Sequence, residues 1–488
     1  MATSRQDDHR PTIERAGLDR LEPSAHDREQ SARAMLDLIL RAYESLPRQA
    51  ALRIAGHAQF QEFYEDLPRE PRAWPQVLSR LEHEVLPYLG RPSHPRFFAF
   101  VPGPSNWWGV WADAIARAYN VFAGCWYEGA GASMIEAVTV DWLRRVTGYP
   151  DTACGAFMSG GSIANLTALA AARQWAFGED AFDHGTVYFS DQTHSSVERA
   201  LKLLGIRRNR IRRIASDSSF QLPPDAITDA IQRDREAGLR PFCVVANAGT
   251  TNTGAIDPLP AIAAIAEREH LWMHVDGAYG GAAAFSSRGR DLLKGMDLSH
   301  SLTLDPHKWL FQPFDCGCVL FRSEATAHAA FHMTPEYLQD TMSTGEVNFW
   351  DLSPELTRPF RALKLWMSIQ IFGADAIGRA IDHGFSLAET AESALRALPD
   401  WQIVTPAHMA VVTFRYAPAG ADEPLLREWN TRIGRTITES GFAVVLSTEL
   451  RGQKVLRLCP INPRTEVTDI LATVAELDRI ARSIRERP

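Results

Sequence analysis

Between residues 150 and 321 the sequence repeats one pattern, in which a short apolar run is followed by a loop of small or polar residues and then by an amphipathic segment. The apolar runs are GAFM (155–158), TVYFS (186–190), FCVVANA (242–248), LWMHV (271–275), SLTL (301–304) and CVLF (318–321). Helical stretches lie between several of them, such as 162–176, 195–205 and 258–270. Strands that alternate with helices build crossover units on a shared sheet. The pattern therefore predicts an α/β fold with a mainly parallel central sheet.

The segments on either side of this pattern predict two further parts of the chain. Residues 1 to about 30 are polar and charged, and apolar spacing from Ser31 to about Leu46 predicts a helix. After helical segments from 360 to about 398, the runs WQIV, AVVTFRYA and KVLRLCP predict a small antiparallel sheet. We expect an N-terminal tail and helical arm (1–95), a large domain (96–385) and a small C-terminal α+β domain (386–488).

The composition excludes several classes of function. At 488 residues the chain exceeds the roughly 250–300 residues at which a single core stops growing, so we expect at least two domains. Its net charge of -8 gives no electrostatic reason to bind nucleic acid or an anionic membrane. Six cysteines are too sparse for a disulfide framework, and no CxxC pair offers zinc spacing. No window approaches the ~20 apolar residues of a membrane span, so we expect a cytoplasmic protein with no metal.

Polar or small residues directly follow five of the apolar runs. They are Ser159-Gly160-Gly161-Ser162, Asp191-Gln192-Thr193-His194, Gly249-Thr250-Thr251, Asp276-Gly277-Ala278 and Asp305-Pro306-His307-Lys308. Ligands of open α/β sheets bind beyond the carboxyl ends of the strands. Each group alone is equally typical of a helix cap, a turn or a surface ion pair. Finding all five at strand ends indicates a shared ligand site.

Pyridoxal phosphate requires four groups that this set supplies. A glycine turn at a helix N-terminus receives a phosphate, as at Gly161 and Ser162. An imidazole such as His194 can lie against a ring, and Asp276 can face a ring nitrogen. Lys308 can form an imine. The strand ends therefore predict a pyridoxal phosphate enzyme, with Lys308 as the lysine that holds the cofactor.

The chain resembles the group II pyridoxal-phosphate decarboxylases, the family of aromatic-L-amino-acid decarboxylase, over about residues 30–480. The segments that carry the resemblance are FFAFVPGP, SGGS, SDQTHSSVERA, GTTNTGAID, HVDGAYGG, DPHKW, FDCGCVLF and NPRT. DPHKW together with HVDGAYGG at this spacing is highly specific. The resemblance implies the aspartate-aminotransferase-like fold of fold type I. It also implies a homodimer with its sites at the subunit interface.

The resemblance implies a role for each matching position. Lys308 would bind the cofactor, His194 would stack on its ring and Asp276 would pair with the ring nitrogen. The remaining cofactor contacts would come from Gly161, Ser162, Thr250, Ala278 and His307. The role of Asp276 also has a physical reason, since a partly buried carboxylate raises the pKa of a nearby ring nitrogen by about 1–3 units.

In a decarboxylation, the substrate Cα needs a proton after CO2 leaves. In this family the proton comes from a residue on a loop. Tyr337, in the turn-rich stretch 332–351, matches the catalytic tyrosine. Family members with phenylalanine there tend to make aldehydes by oxidative deamination. Tyr337 and His194 together favour simple decarboxylation to the amine. Without the resemblance, Tyr337 would be interpreted as an exposed loop aromatic.

The predicted substrate pocket departs from that of the animal aromatic enzymes. Phe100 and Phe314 keep aromatic character, whereas Val101, Pro92 and Gly124 stand where bulky aromatics are usual; Pro102 completes the predicted pocket. Other aromatic walls are available at Phe97, Trp107, Trp108 and Trp126. No lysine or arginine clearly marks a site for a side-chain carboxylate. We expect an aromatic substrate of the tryptophan, tyrosine, phenylalanine or DOPA type.

Other functions remain open at this point. A decarboxylase of glutamate or diaminobutyrate, an aromatic aldehyde synthase and an aminotransferase would all use the same cofactor. A metal-dependent hydrolase would use His194, Asp276, Asp305 and His307, although the sequence lacks a compact ligand motif such as HExxH. A structural relative without activity conflicts with the presence of Lys308, Asp276 and Tyr337.

Overall fold

The computed structural model describes residues 21–333 and 346–486, so Tyr337 lies outside the described residues. Its internal contacts divide the chain into two compact units. The first contains residues up to 49 together with 53–89, and the second contains 50–52 and the chain from residue 90 onward. None of the described helices has the length and apolar character that crossing a bilayer requires.

The described part of the first unit contains three α-helices, α1 (Ala25–Ser45), α2 (His57–Phe63) and α3 (Trp74–Arg80). The hydroxyl of Ser24 accepts a hydrogen bond from the Asp27 backbone N–H at 3.1 Å and so caps α1. The predicted start at Ser31 was therefore wrong, because the capped first turns are polar and carry no apolar spacing. These three helices contain no buried residue.

The second unit is built on a seven-stranded sheet with the order β1-β7-β6-β5-β4-β2-β3. Its strands are β1 (Cys154–Met158), β2 (Gly185–Ser190), β3 (Ile211–Ile214), β4 (Arg240–Asn247), β5 (Trp272–Asp276), β6 (Ser301–Leu304) and β7 (Gly317–Phe321). β2 to β6 are parallel to one another, whereas β7 is antiparallel to both β6 and β1. All strands except β7 therefore end at the same edge, which confirms the predicted mainly parallel sheet.

Helices flank both faces of this sheet. The described α-helices between residues 107 and 396 are α4 (Trp107–Tyr119), α5 (Trp126–Thr147), α6 (Gly161–Phe177), α7 (Ser195–Leu203), α8 (Pro224–Glu236), α9 (Leu259–Glu269), α10 (Ser287–Leu292), α11 (Glu324–Phe331), α12 (Ala362–Phe372) and α13 (Ala374–Arg396). Successive residues of β4 point to opposite faces, so Val244 packs in one apolar layer and Val245 in the other. The buried sheet gives the strand ends a rigid support.

A four-stranded antiparallel sheet follows, with the order β10-β11-β9-β8. Its strands are β8 (Trp401–His408), β9 (Val411–Tyr416), β10 (Leu446–Leu450) and β11 (Gln453–Leu458), and the chain adds α14 (Glu423–Glu439) and α15 (Val467–Glu486). The predicted small antiparallel sheet is confirmed. The domain limits at 95/96 and 385/386 stay predictions, and α13 runs through the second of them.

Candidate active site

The common edge of the large sheet opens onto a cavity of about 380 Å³. The cavity lies beyond the ends of β1, β2, β4, β5 and β6. Every cofactor-binding residue predicted from the sequence lines it, namely Gly161, Ser162, His194, Thr250, Asp276, Ala278, His307 and Lys308. The five strand ends, separated by up to 149 residues between Ser159 and Lys308 in the chain, therefore meet in space.

The N-terminus of α6 faces this cavity. Gly160 stands at the N-cap position and no side chain caps the helix. A Cβ added at Gly161 would lie 2.9 Å from Asp305 Oδ2 and 3.0 Å from the Ala278 Cβ. Only a glycine lets the helix start so close to the end of β6. An uncapped N-terminus of a long helix presents N–H donors and a positive dipole end, which suit a phosphate.

Lys308 lies within hydrogen-bonding reach of a buried carboxylate. Its Nζ is 3.0 Å from Asp305 Oδ2, and the Asp305 side chain is almost fully buried. Asp305 Oδ1 has no hydrogen-bond partner among the described residues. A buried polar atom without a partner is costly, and such atoms are rare in folded proteins. Asp305 thus anchors the amine at the cavity wall and keeps one oxygen available.

Asp276 ends β5 as a buried carboxylate with two fixed hydrogen bonds. Oδ1 accepts from the Ala278 backbone N–H at 3.1 Å, and Oδ2 accepts from Asn165 Nδ2 at 2.9 Å. A carboxylate held at this depth by two donors suits a cationic ring nitrogen in the cavity.

His194 is the N-cap residue of α7, and its ring is held from within the protein. Nδ1 accepts from the Ser196 backbone N–H at 3.3 Å and lies 2.8 Å from Ser196 Oγ. Burial lowers the pKa of His194 from its ordinary value. The imidazole is therefore neutral near pH 7 and has a fixed orientation.

His307 connects the cavity with the predicted substrate pocket. Burial lowers its pKa, and its Nδ1 accepts from the Cys316 backbone N–H at 3.2 Å. The Phe314 ring packs on the imidazole with 4.7 Å between centroids, and Phe314 is 59% exposed. A Cβ at Gly103 would also collide with the Phe314 ring. Phe314 thus forms an apolar wall next to a residue that lines the cavity.

None of the four predicted pocket residues, Phe314, Phe100, Val101 and Pro102, lines the cavity itself. Phe100 is 62% exposed and adopts a φ of 55°, which is rare for a bulky residue. Its carbonyl accepts a hydrogen bond from buried Arg457. Val101 packs against the main core and Pro102 is buried. Of the further aromatics proposed, Phe97 is part of a small buried cluster with Val444.

Four residues of the cavity wall were not predicted, namely Asn165, Ser196, Asn247 and Tyr279. Asn247 is buried and donates to Asp257 Oδ2 at 2.8 Å and to Thr193 Oγ1 at 3.0 Å. Asn247 is the last residue of β4, so its place at a strand end was a usable signal. Asn165 lies inside a helix, where nothing in the local pattern distinguishes it.

The residues of the alternative hydrolase do not form the metal-ligand group found among the described residues. That group consists of His328, His332 and Asp351, whose ligand atoms lie within 4.8 Å of one another. None of the three lines the cavity. The strand ends bring together a lysine amine, a buried carboxylate and a glycine turn at a helix N-terminus, a set that suits an organic cofactor.

Comparisons with known proteins agree with this geometry. The family model described as "Pyridoxal-dependent decarboxylase conserved domain" matches residues 57–417. An aromatic-L-amino-acid decarboxylase from Bacillus atrophaeus is 45% identical over 423 residues, covering 86% of this chain and 88% of that protein. A phenylacetaldehyde synthase from Arabidopsis thaliana is 31% identical over 415 residues, covering 82% and 85%. The crystal structure of Oryza sativa TDC with PLP and tryptamine has a TM-score of 0.90 and 28% identity, covering 95% and 99%.

This fold and site define an α/β enzyme of the pyridoxal phosphate class. The chain belongs to the pyridoxal-dependent decarboxylase family. Its cofactor is therefore pyridoxal 5'-phosphate, and its class is that of the amino-acid decarboxylases. The predicted family, fold type and cofactor are confirmed.

Proposed function

We propose that this enzyme converts an aromatic L-amino acid to its amine and CO2. The observation that carries the substrate class is the exposed ring of Phe314, which packs against His307 at the cavity. Lys308 is the one ammonium or guanidinium group among the described residues that line the cavity. A substrate with a second carboxylate, such as glutamate, would lack a partner charge there. Similarity to an aromatic-L-amino-acid decarboxylase supports the same class.

In this proposal each side chain has one task. When bound, pyridoxal phosphate supplies the conjugated ring that takes up the electron pair left on Cα as CO2 departs. Lys308 would hold the cofactor through its amine, beside the position that the substrate amine would take. Asp276 keeps a proton on the ring nitrogen, and neutral His194 lies against the ring face. Gly161 and Ser162 receive the phosphate, while Thr250, Ala278 and His307 close the site around it.

Tyr337 is proposed to donate the proton that Cα needs after CO2 has left. The proposal rests on its match to the catalytic tyrosine of the family. A phenol with its ordinary pKa near 10 is protonated at neutral pH and can donate. Without this proton, O2 would oxidise Cα and water would release the nitrogen, so that the products would be an aldehyde, ammonia and hydrogen peroxide.

An aromatic aldehyde synthase is the second candidate, because one relative is a phenylacetaldehyde synthase. The two candidates differ in their products. The enzyme should be incubated with L-tryptophan, L-tyrosine, L-phenylalanine, L-DOPA and L-glutamate while CO2, amine, aldehyde and peroxide are measured. We expect one amine per CO2 from an aromatic substrate and no reaction with glutamate.

The Tyr337→Phe variant separates the proposed role of the loop from the substrate class. We expect aldehyde and peroxide to replace amine in the variant, because the proton donor is gone while CO2 loss is retained. Unchanged amine production by Tyr337→Phe would show that the proton comes from another group. Preference for glutamate in the wild type would overturn the substrate class alone.

We also propose a cytoplasmic homodimer. Helices α1 to α3 bury none of their residues and expose Phe60, Phe63 and Tyr64, and such apolar faces typically pack against a partner. The six cysteines are all free, and five of them are buried. Free thiols fit a reducing compartment. Sedimentation of the full chain would test the dimer, and a monomer at micromolar concentration would contradict it.

A further inference from the structure

A row of hydrogen bonds runs through the interior from β5 to α6. The indole N–H of Trp272 donates to Ser301 Oγ at 2.8 Å, and Ser301 Oγ lies 2.8 Å from His274 Nδ1. His274 Nε2 lies 2.9 Å from Asn165 Oδ1. All four side chains are 0–1% exposed. These side chains are shielded from bulk solvent, so their polar groups must satisfy one another.

The row ends on two residues of the candidate active site. The Asn165 amide nitrogen donates to Asp276 Oδ2 at 2.9 Å and to Ser196 Oγ at 3.0 Å. Ser196 Oγ in turn lies 2.8 Å from His194 Nδ1. A single amide on α6 therefore contacts both the proposed partner of the ring nitrogen and, through one hydroxyl, the proposed ring-stacking imidazole.

The direction of each hydrogen bond follows from the chemistry of the two ends. The indole N–H of Trp272 can only donate, and the Asp276 carboxylate accepts from the Asn165 amide nitrogen. Asn165 must therefore turn its NH2 group toward Asp276 and its carbonyl toward His274. His274 must then carry its proton on Nε2, so Ser301 donates to Nδ1. The opposite orientation would place the Asn165 carbonyl oxygen 2.9 Å from the Asp276 carboxylate.

His274 stays neutral in this arrangement, since burial lowers its pKa from the ordinary value. The same direction continues to His194. Ser196 Oγ accepts from Asn165 and so donates its own hydrogen to His194 Nδ1, which also accepts from the Ser196 backbone N–H. A neutral His194 therefore carries its proton on Nε2.

We propose that Asn165 is a positioning residue that holds the Asp276 carboxylate in place and fixes the tautomer of His194. This rests on the proposed roles of those two residues toward the cofactor. Asn165 reaches them with the two N–H donors of one amide, and neutral His274 locks the amide against rotation. The orientation of Asp276 and that of His194 are thus set by a common group.

The effect of a substitution at Asn165 depends on the charged and titratable groups around it. The charged or titratable groups that face it, or that act on its partners, are Asp276 and His274 on β5, His194 and Arg199 on or beside α7, and Asp305, His307 and Lys308 after β6. Of these, His274 and Asp276 contact Asn165 directly, and Asp276 is the carboxylate of the two. A carboxylate at position 165 would repel it, whereas a protonated carboxyl would still donate to it.

The experiment measures the dissociation constant of pyridoxal phosphate from pH 5 to pH 9 by absorbance titration of the apoenzyme. Asn165→Leu removes both donors, and we expect affinity to fall about 10- to 100-fold at every pH, as for a lost hydrogen bond to a charged group. Asn165→Asp should lose a similar factor at pH 9 and recover as the pH decreases, because the introduced carboxyl then takes up a proton.

Thr167→Val is the matched control. Thr167 is also buried on α6, but its hydroxyl bonds to the Ile163 carbonyl at 2.8 Å and contacts no member of the row. We expect wild-type affinity from it. The inference would be overturned if Asn165→Leu bound pyridoxal phosphate as tightly as Thr167→Val does. It would also be overturned if the cofactor affinity of Asn165→Asp varied with pH in the same way as that of Asn165→Leu.

Because the Asn165→Asp protein is compared with itself at two pH values, this part of the test does not depend on a second variant folding correctly. Wild-type protein that bound no cofactor would instead contradict the proposed function.

Discussion

Substituting Gly161 with alanine tests the fit between α6 and the cofactor. The new Cβ would lie 2.9 Å from Asp305 Oδ2 and 3.0 Å from the Ala278 Cβ, whereas ordinary contacts begin near 3.4 Å. The start of α6 or its neighbours must therefore move apart by about 0.4–0.5 Å. A donor–acceptor distance that grows by this amount takes a good hydrogen bond most of the way to a broken one.

The magnitude follows from the donors at the start of α6. Losing one charge-assisted hydrogen bond to a phosphate costs about 1.5–3 kcal/mol, which corresponds to about 10- to 100-fold in affinity. We expect the dissociation constant of pyridoxal phosphate, measured by absorbance titration of the apoenzyme, to rise by this factor.

Gly131→Ala is the matched control for this substitution. Gly131 lies in α5, and a Cβ there would meet nothing within 4 Å. We expect unchanged cofactor affinity and a gain in stability of about 0.5–1 kcal/mol, as for an exposed helical glycine. Wild-type affinity in Gly161→Ala would refute the assignment of the phosphate to this turn.

Two predictions concern stability. Burial lowers the pKa of His300 to about 4, whereas the unfolded chain takes up its proton near 6.5, so unfolded molecules bind more protons between these values. The unfolding free energy should fall by about 3 kcal/mol from pH 6.5 to 4 through this group. His300→Asn, which keeps an acceptor for the Met273 N–H, should flatten that pH dependence in urea titrations; an equal slope would contradict it. Glu136→Gln should cost about 3–5 kcal/mol, because Arg358, fully buried against Glu136, loses its counter-charge, and a urea midpoint like that of the wild type would contradict this.

Much of the fold could be predicted because the spacing of apolar residues and the polar residues that follow each strand are both visible in short stretches of sequence. SLTL, for example, was predicted at residues 301–304 and β6 has those bounds. β3 was not predicted, since its four residues include Arg212 and Arg213. Arg212 is accommodated by an ion pair with buried Asp234 at 2.6 Å, a partner that no local pattern indicates.

The residues proposed to contact the cofactor were easier to find in the sequence than those that support them. Lys308 and Asp276 stand at the ends of apolar runs, where a charge has no structural reason to be. Asn165 has the neighbours of an ordinary helix, and its partners Ser196, His274 and Asp276 are 31 to 111 residues away. Its importance depends on tertiary packing, so only the structure could reveal it.

Lys308 provides the most direct test of the proposed chemistry. The purified protein, incubated with pyridoxal phosphate and freed of excess cofactor, should show a visible absorbance band from the lysine-bound cofactor and should release CO2 from an aromatic L-amino acid. Lys308→Ala should lose both the band and the activity. A band and CO2 release that persisted in Lys308→Ala would contradict the assignment of Lys308 as the cofactor lysine.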